Sequence, residues 1–214
     1  MTEFIQKIVL AIFGQNPILA TIFISMIPVI ELRGAIPFGS SKEIWGDKAL
    51  SVLEASVYSL IGSVIAAIII ILLMIPVFKL LKKTKIFNNL VNSFEEKFKK
   101  QSNKIEEETK EKKHIGLKKW LGILTFVAIP LPLTGVWTGS AIAVFLNMGF
   151  FKSLSAVCVG AFIAACIMAL LSKTLGDAAL IIFYCFIVFF VIIISFYLIR
   201  AFVKKKNKSS IVEE

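Results

Sequence analysis

Glu31 and Arg33 lie two residues apart in Pro28-Val-Ile-Glu31-Leu-Arg33-Gly34-Ala-Ile-Pro37-Phe-Gly39, directly after an apolar run from Pro17 to Ile30. A carboxylate in such a place can hold a proton or a small cation. A guanidinium can hold a phosphate or a carboxylate through two parallel hydrogen bonds. Either charge is expensive at membrane depth, which is why the pair reads as a functional site. The structural alternative is a pair that neutralises itself or snorkels to the surface. A second interruption, Ile129-Pro130-Leu-Pro132-Leu-Thr134-Gly135-Val-Trp137-Thr138-Gly139, carries no charge. It offers the hydroxyls of Thr134 and Thr138, with Ser140 just beyond, and the N–H groups of Gly135 and Gly139, as a half-helix N-terminus facing an anion requires. Close packing through the small-xxx-small pair Gly135 and Gly139 is the competing reading. The expected substrate- or ion-binding set is Glu31, Arg33, Gly34, Pro130, Pro132, Thr134, Gly135, Trp137 and Thr138, with no catalytic residue and no metal ligand.

Both stretches need elements that hold a polar tip inside an apolar layer. Hydrophobic residues make up 57% of the 214 and charged residues 18%, and the charges are segregated. No acid or base occurs in 55–78, 154–172 or 178–199. At 1.5 Å per residue, each run is long enough to cross about 30 Å of hydrocarbon. This excludes an ordinary soluble domain and predicts an all-α polytopic membrane protein. The runs Pro17–Ile30 and Trp120–Ile129 are too short to cross comfortably. Pro and Gly break each one, and a full span follows, the pattern of transporters built from repeats.

The expected order is a first repeat over 1–78, with an amphipathic helix at 3–13, a re-entrant hairpin at 17–48 and a span at 52–75. Asn16 and Pro17 are suited to start the hairpin's first helix. Pro28 ends that helix, and Gly34, Pro37 and Gly39 keep the following stretch irregular. Trp45 suits an interfacial level. Residues 79–119 carry 13 lysines against 6 glutamates, with Phe87, Leu90, Val91, Phe94 and Phe98 at helical spacing, and predict a basic amphipathic helix and linker. A second repeat over 120–171 follows, with a hairpin at 120–150, whose second leg begins at Ser140, and a span at 154–171. A final span at 179–199 and a basic tail at 200–214 complete the chain.

The lysine-rich 79–119 and 200–214 segments are expected on the cytoplasmic side of the cell membrane. Two spans separate them, so the 120–150 hairpin must return to the side it came from. The 17–48 hairpin then dips in from outside. Ile27-Pro28 parallels Ile129-Pro130 at an offset of 102, and Gly62-Ser-Val-Ile-Ala-Ala67 parallels Gly160-Ala-Phe-Ile-Ala-Ala165 at 98. The two halves are therefore expected to be inverted-topology repeats. Gly62 and Gly160 read as packing contacts.

Several function classes are set aside. The net charge of +10 comes from membrane-flanking clusters and suits anionic lipid; the basic residues lack a nucleic-acid recognition context. No nucleophile–base pair and no Walker motif occurs, so neither an enzyme nor an ATP-driven pump is expected, and no cofactor. His114 sits in a charged stretch. Cys158, Cys166 and Cys185 lie within spans as small apolar residues. Glu3 and Lys7 do not make the basic start of a signal peptide.

The stretch Glu31-Leu-Arg33-Gly34-Ala-Ile-Pro37, followed about 100 residues later by Pro130-Leu-Pro132-Leu-Thr134-Gly135-Val-Trp137-Thr138-Gly139, resembles the bacterial and archaeal small multidrug export protein family over nearly the whole chain. The family pattern has Gly where this chain has Leu133. That family is distantly similar to the DedA/VTT-type membrane proteins, whose two re-entrant hairpins face each other and which move lipid. The resemblance implies a transporter with Arg33 on a phosphate and Glu31 as an ion-coupling site, although the second hairpin lacks the arginines of those relatives. The reading is an ion-coupled transporter or flippase for an amphipathic, phosphate-bearing lipid, alternating access between two hairpin tips. Protons or Na+ are the expected coupling ions and a homodimer the expected assembly. The alternatives are a small multidrug or cation exporter and a non-transporting membrane scaffold.

Overall fold

The computed structural model describes residues 13–81, 108–131 and 134–176, together with the isolated positions 178, 188, 195 and 200. The helix expected at 3–13 falls almost wholly outside these residues. So do most of the 79–119 segment, Pro132 and Leu133, the final span and the basic tail. Among the described residues every element is helical and none is a strand.

Helix α1 runs Pro17–Met26. Its start follows the local chemistry: Asn16 Oδ1 accepts from the N–H groups of Ile18 and Leu19 at 3.1 and 3.2 Å, and Pro17 fills the first position, where a missing N–H costs nothing. The chain breaks at 27–30 and resumes as α2, Glu31–Gly39. The stretch after Pro28 is thus ordered helix rather than irregular backbone. Pro37 removes only the N–H that would have reached Arg33 C=O. The ladder holds on either side of it, from Gly34 N–H to Ile30 C=O and from Ser40 N–H to Ile36 C=O. All nine residues of α2 are buried, so tertiary packing overrides the weak propensity of two glycines and a proline.

A short helix α3, Lys42–Trp45, and one 3-10 turn lead into α4, Val52–Leu81. Trp45 is buried rather than interfacial. Its Nε1 donates to Phe38 C=O at 3.1 Å, and its ring meets Phe38 edge-on, pinning the end of α2. Pro76 does not close α4, which continues to Leu81. Helix α5, Glu108–Ala128, begins twelve residues before the apolar segment at Trp120, so polar and apolar parts form one rod. A break at 129–135 precedes α6, Val136–Phe145, which starts four residues earlier than Ser140. Helix α7, Phe150–Leu175, follows.

Among the described residues, α4 and α7 are long and apolar enough to cross a membrane. At 30 and 26 residues they measure about 45 and 39 Å, against a hydrocarbon core of about 30 Å. Helices α1, α2 and α6 are about half as long as that core is thick. Large apolar side chains on the outer faces of α4 and α7, such as Leu53, Leu73, Phe162 and Leu170, stay exposed, as lipid-facing residues do.

Apart from α3 and the 3-10 turn, which the second half lacks, each half runs two hairpin helices and then a long one. Each long helix packs on the first leg of its own hairpin, α4 on α1 and α7 on α5, and on the second leg of the other, α4 on α6 and α7 on α2. The long helices also pack on each other. A Cβ at Gly62 would run into Ser25 Oγ and Ile22 C=O of α1. One at Gly160 would lie 2.7 Å from Leu124 C=O and 2.8 Å from Val127 Cβ of α5. Ile22 and Ser25 stand 102 residues before Leu124 and Val127, the offset already visible between the Ile-Pro breaks. The central core joins Leu32 and Ile36 of α2 to Ala67, Val127, Val136, Ala161, Ala164 and Met168, so both hairpins are built into one body.

Candidate functional site

The two breaks meet. Glu31 and Arg33, at the start of α2, are each 4% exposed. The Arg33 Nη2 donates to Thr134 C=O, to Ile129 C=O at 3.1 Å and to Thr134 Oγ1 at 3.3 Å. Its Nη1 lies 3.6 Å from Glu31 Oε2. Glu31 Oε1 accepts from Trp137 N–H at 3.2 Å. Trp137 Nε1 returns across the interface to Met26 C=O at 3.0 Å.

Helix electrostatics explains this arrangement. A broken helix exposes N–H groups with partial positive charge at one new end and C=O groups with partial negative charge at the other. Where such ends are buried, neither can turn to water. The Glu31 carboxylate sits at the N-terminus of α6, on the N–H of its second residue. The Arg33 guanidinium sits on Ile129 C=O, just past the C-terminus of α5, and on Thr134 C=O, two residues before α6. One charged pair thus satisfies both ends of the second hairpin's break, while Trp137 satisfies the last carbonyl of α1. The anion expected at the α6 N-terminus is Glu31 itself.

The backbone shape at the first break serves the same geometry. Val29 and Glu31 have φ of 76° and 48°, a region that costs a non-glycine residue roughly 1–3 kcal/mol. The left-handed turn directs Glu31 N–H back to Ile27 C=O at 3.0 Å and starts α2 in a new direction. Opposite, Gly135 leaves the space that the carboxylate fills, because a Cβ there would land on the Glu31 carboxylate.

The other expected residues have supporting places. Thr134 Oγ1 also contacts the carbonyls of Ile129 and Leu131, both at 2.8 Å, folding the second break on itself. Thr138 Oγ1 accepts from Gly135 N–H at 3.1 Å and closes the first turn of α6. Pro130 lies within the break. Gly34 is buried in α2 one turn past Ile30. The carbonyls of Ile129 and Met26 were not among the expected residues, since a backbone oxygen leaves no mark in a side-chain reading. Four hydroxyls were also unanticipated or unplaced: Ser59, Ser63, Ser140 and Ser172 are at least 97% buried and without a hydrogen-bond partner. Ser59 and Ser63 are four apart on α4, in line with Ala67 of the core, and Ser172 is four from Met168 on α7. Among the described residues no group of three or more His, Cys, Asp or Glu could hold a metal.

The sequence matches the small multi-drug export protein family over residues 31–167, from Glu31 itself to the middle of α7. The match covers more than half of the chain. The chain belongs to this family. No curated protein and no solved structure matches it. Membership places the chain among export proteins rather than enzymes. With two apolar helices of spanning length, it is a multi-pass membrane protein.

Proposed function

We propose that this protein is a secondary exporter of small cationic or amphipathic compounds, working by alternating access between its two hairpins. In this reading the halves are inverted repeats. Hairpin 17–48 dips in from outside and hairpin 120–150 from the cytoplasm, and the lysine-rich 79–119 segment and the C-terminal tail stay cytoplasmic. The protein resides in the cell membrane, surrounded by lipids that include anionic ones. Glu31 is the exchange site, taking a cation or, in its absence, a coupling H+ or Na+. A homodimer would thicken the wall around this site.

One observation carries the reading: a buried ion pair that bridges the two ends of the second break, on the Trp137 N–H at one side and the Ile129 and Thr134 oxygens at the other. The insertion cost of one such charge is about 2.5–3.5 kcal/mol, and a fold that needed only a turn would not include it. Opening either hairpin must separate Glu31 from Trp137 N–H or Arg33 from the Ile129 and Thr134 carbonyls. Charge at Glu31 and hairpin position are therefore linked. The unpartnered hydroxyls flank the same two legs, Ser59, Ser63 and Ser172 on the helices that pack against α2, and Ser140 on α6. Each would be satisfied by an ion or water passing on its side of the pair.

The geometry favours export of a cation over transfer of a phosphate-bearing lipid. The Arg33 guanidinium is engaged by three hairpin oxygens and Glu31, so it offers a headgroup no open face. The test is flux through the purified protein in proteoliposomes, with cationic-dye efflux and lipid-phosphate flipping measured side by side. Dye efflux in the native chain that is lost in Glu31→Gln and in Arg33→Gln, both still inserting normally, is the expected result. Flipping without efflux would restore the lipid reading, and unchanged flux in both variants would remove Glu31 and Arg33 from the mechanism.

A further inference from the structure

Helices α5 and α7 run side by side in the same direction. Trp120 Nε1 donates to Ser155 Oγ at 2.9 Å, and one turn further along both helices Gly160 packs on Leu124 C=O. The two contacts pair residues 35 and 36 apart in sequence, and the same register sets Lys152 level with Leu117. On α7, Lys152 and Val159 lie one turn either side of Ser155; on α5, Leu117 and Leu124 lie one turn either side of Trp120. The Trp120–Ser155 bond therefore sits in a seam with a cation at one end and apolar side chains along the rest. Lys152, Ser155 and Val159 are all exposed, so the seam opens outward. Phe151, beside Lys152, is 82% exposed at the start of a spanning helix, where lipid covers such a ring at no cost. An indole with its N–H satisfied suits the same interfacial level.

The charge at this end is one-sided. Among the described residues neither Lys118 nor Lys152, both exposed, has an acidic partner. Lys119 is occupied, since its Nζ donates to Leu146 C=O at 3.0 Å and closes the base of the second hairpin. No acid stands in the first turn of α7. Residues 108–119, which lead into the seam, carry five lysines against two glutamates.

We infer that the α5–α7 seam binds one anionic phospholipid, with its phosphate on Lys152 and an acyl chain along Leu124 and Val159. The inference goes beyond the export reading and does not depend on it. Selection is by charge. A net negative headgroup is attracted by Lys152 and by the lysine-rich start of α5. A zwitterionic headgroup brings its own cation to the same place and cancels most of that attraction. A second copy of this chain would bring the same lysines to the seam, and like charges oppose its docking. The bound lipid bridges the first leg of the second hairpin and the long helix that this leg packs on, so it steadies one against the other.

The test places the full chain in phosphatidylcholine vesicles and replaces rising fractions of the lipid with dibrominated phosphatidylglycerol or dibrominated phosphatidylcholine, whose bromines quench a nearby indole. Trp120→Phe, measured in parallel, gives the contribution of Trp45 and Trp137, so the difference reports on the seam. Brominated phosphatidylglycerol should quench the Trp120 signal at a mole fraction about fivefold lower than brominated phosphatidylcholine, the worth of one lysine toward an anionic lipid. Lys152→Gln should remove most of that preference. Lys42→Gln, at an exposed lysine of the first hairpin, should leave it unchanged. The comparison of the native chain with Lys152→Gln needs no subtraction, so it stands even where Trp120→Phe does not fold. Equal quenching by the two lipids, or a preference that survives Lys152→Gln, would overturn the site. A preference lost to the same extent in Lys42→Gln would also overturn it, because overall charge rather than the seam would then be the cause. Quenching by neither lipid, with cross-linking between two copies through cysteines placed at Val159, would give the seam to a second copy and overturn the lipid.

Discussion

The two breaks do the same job with different materials. The first spans only 27–30, contains the left-handed Val29, and hands over to α2 at the left-handed, charged Glu31. The second spans 129–135, carries no charge, and has no left-handed residue among those described. The first therefore provides the ions and the second provides the dipoles and oxygens that receive them. One ion pair serves both, which halves the number of charges that must be buried. It also makes the contact directional: the first hairpin supplies both charges, and the second supplies the Trp137 N–H and the Ile129 and Thr134 oxygens that receive them.

The sharpest way to break this comparison is to leave one charge alone. Arg33→Leu strands Glu31 as an uncompensated buried carboxylate, an imbalance that costs about 3–5 kcal/mol. Thermal unfolding in detergent should show it as a large loss of stability or of folded yield. The double variant Glu31→Gln with Arg33→Leu should recover part of that loss, since no net charge then remains. A double variant no better than the single would show that the two charges are not coupled.

The proposed repeat is probed by matched substitutions. Gly62→Ala and Gly160→Ala press a methyl group against Ile22 C=O and Leu124 C=O, backbone atoms that cannot rotate away. Overpacking of this kind costs about 1–3 kcal/mol. The two variants should lose similar stability in the same unfolding assay. A large loss at one and none at the other would mean that the correspondence of the halves is sequence coincidence. Orientation is a separate matter, settled by labelling cysteines placed at the exposed Lys42 and Lys118 from one side of the membrane: opposite-side labelling is expected, and same-side labelling would remove the inversion.

What could be read beforehand follows from which signals are local. Charge segregation marked the two long helices because every residue within them reports on the same apolar surroundings. Asn16-Pro17 marked the start of α1 because a cap is a contact within three residues. The pairing of Glu31 with the second break was partly legible, as an anion-seeking N-terminus and an unpaired acid about 100 residues apart. That Glu31–Gly39 is helical was not legible. Its glycines and proline argue locally for irregular chain, and only burial of all nine residues between α4, α7 and α1 decides otherwise. The acceptors on Ile129 and Met26 were invisible for a different reason: a carbonyl becomes a site only where a helix stops. The run Ser56, Ser59 and Ser63 did carry a signal, hydroxyls on one face of an apolar span, which points inward by the rule that polar side chains avoid lipid.

Gly135 tests whether the receiving side depends on room or on backbone freedom. Its φ of −144° is open to any residue, so Gly135→Ala acts only through the space that the Glu31 carboxylate occupies. The expected loss is about 1–2 kcal/mol, at the lower part of the overpacking range, because a side chain can shift where a carbonyl cannot. Gly149→Ala is the control. It has open space around it and an ordinary φ, and should stay within about 0.5 kcal/mol of the native chain.

The smallest expected effect concerns the return contact. Trp137→Phe removes the Nε1 donor to Met26 C=O and leaves the backbone N–H that holds Glu31. Trp137 is 36% exposed, so the loss should be about 0.5–1.5 kcal/mol, the usual net worth of one hydrogen bond. A loss as large as that of Arg33→Leu would mean that the first hairpin leans on the second as heavily as the reverse. The two breaks would then be equal partners in holding the contact, although both charges lie on one of them.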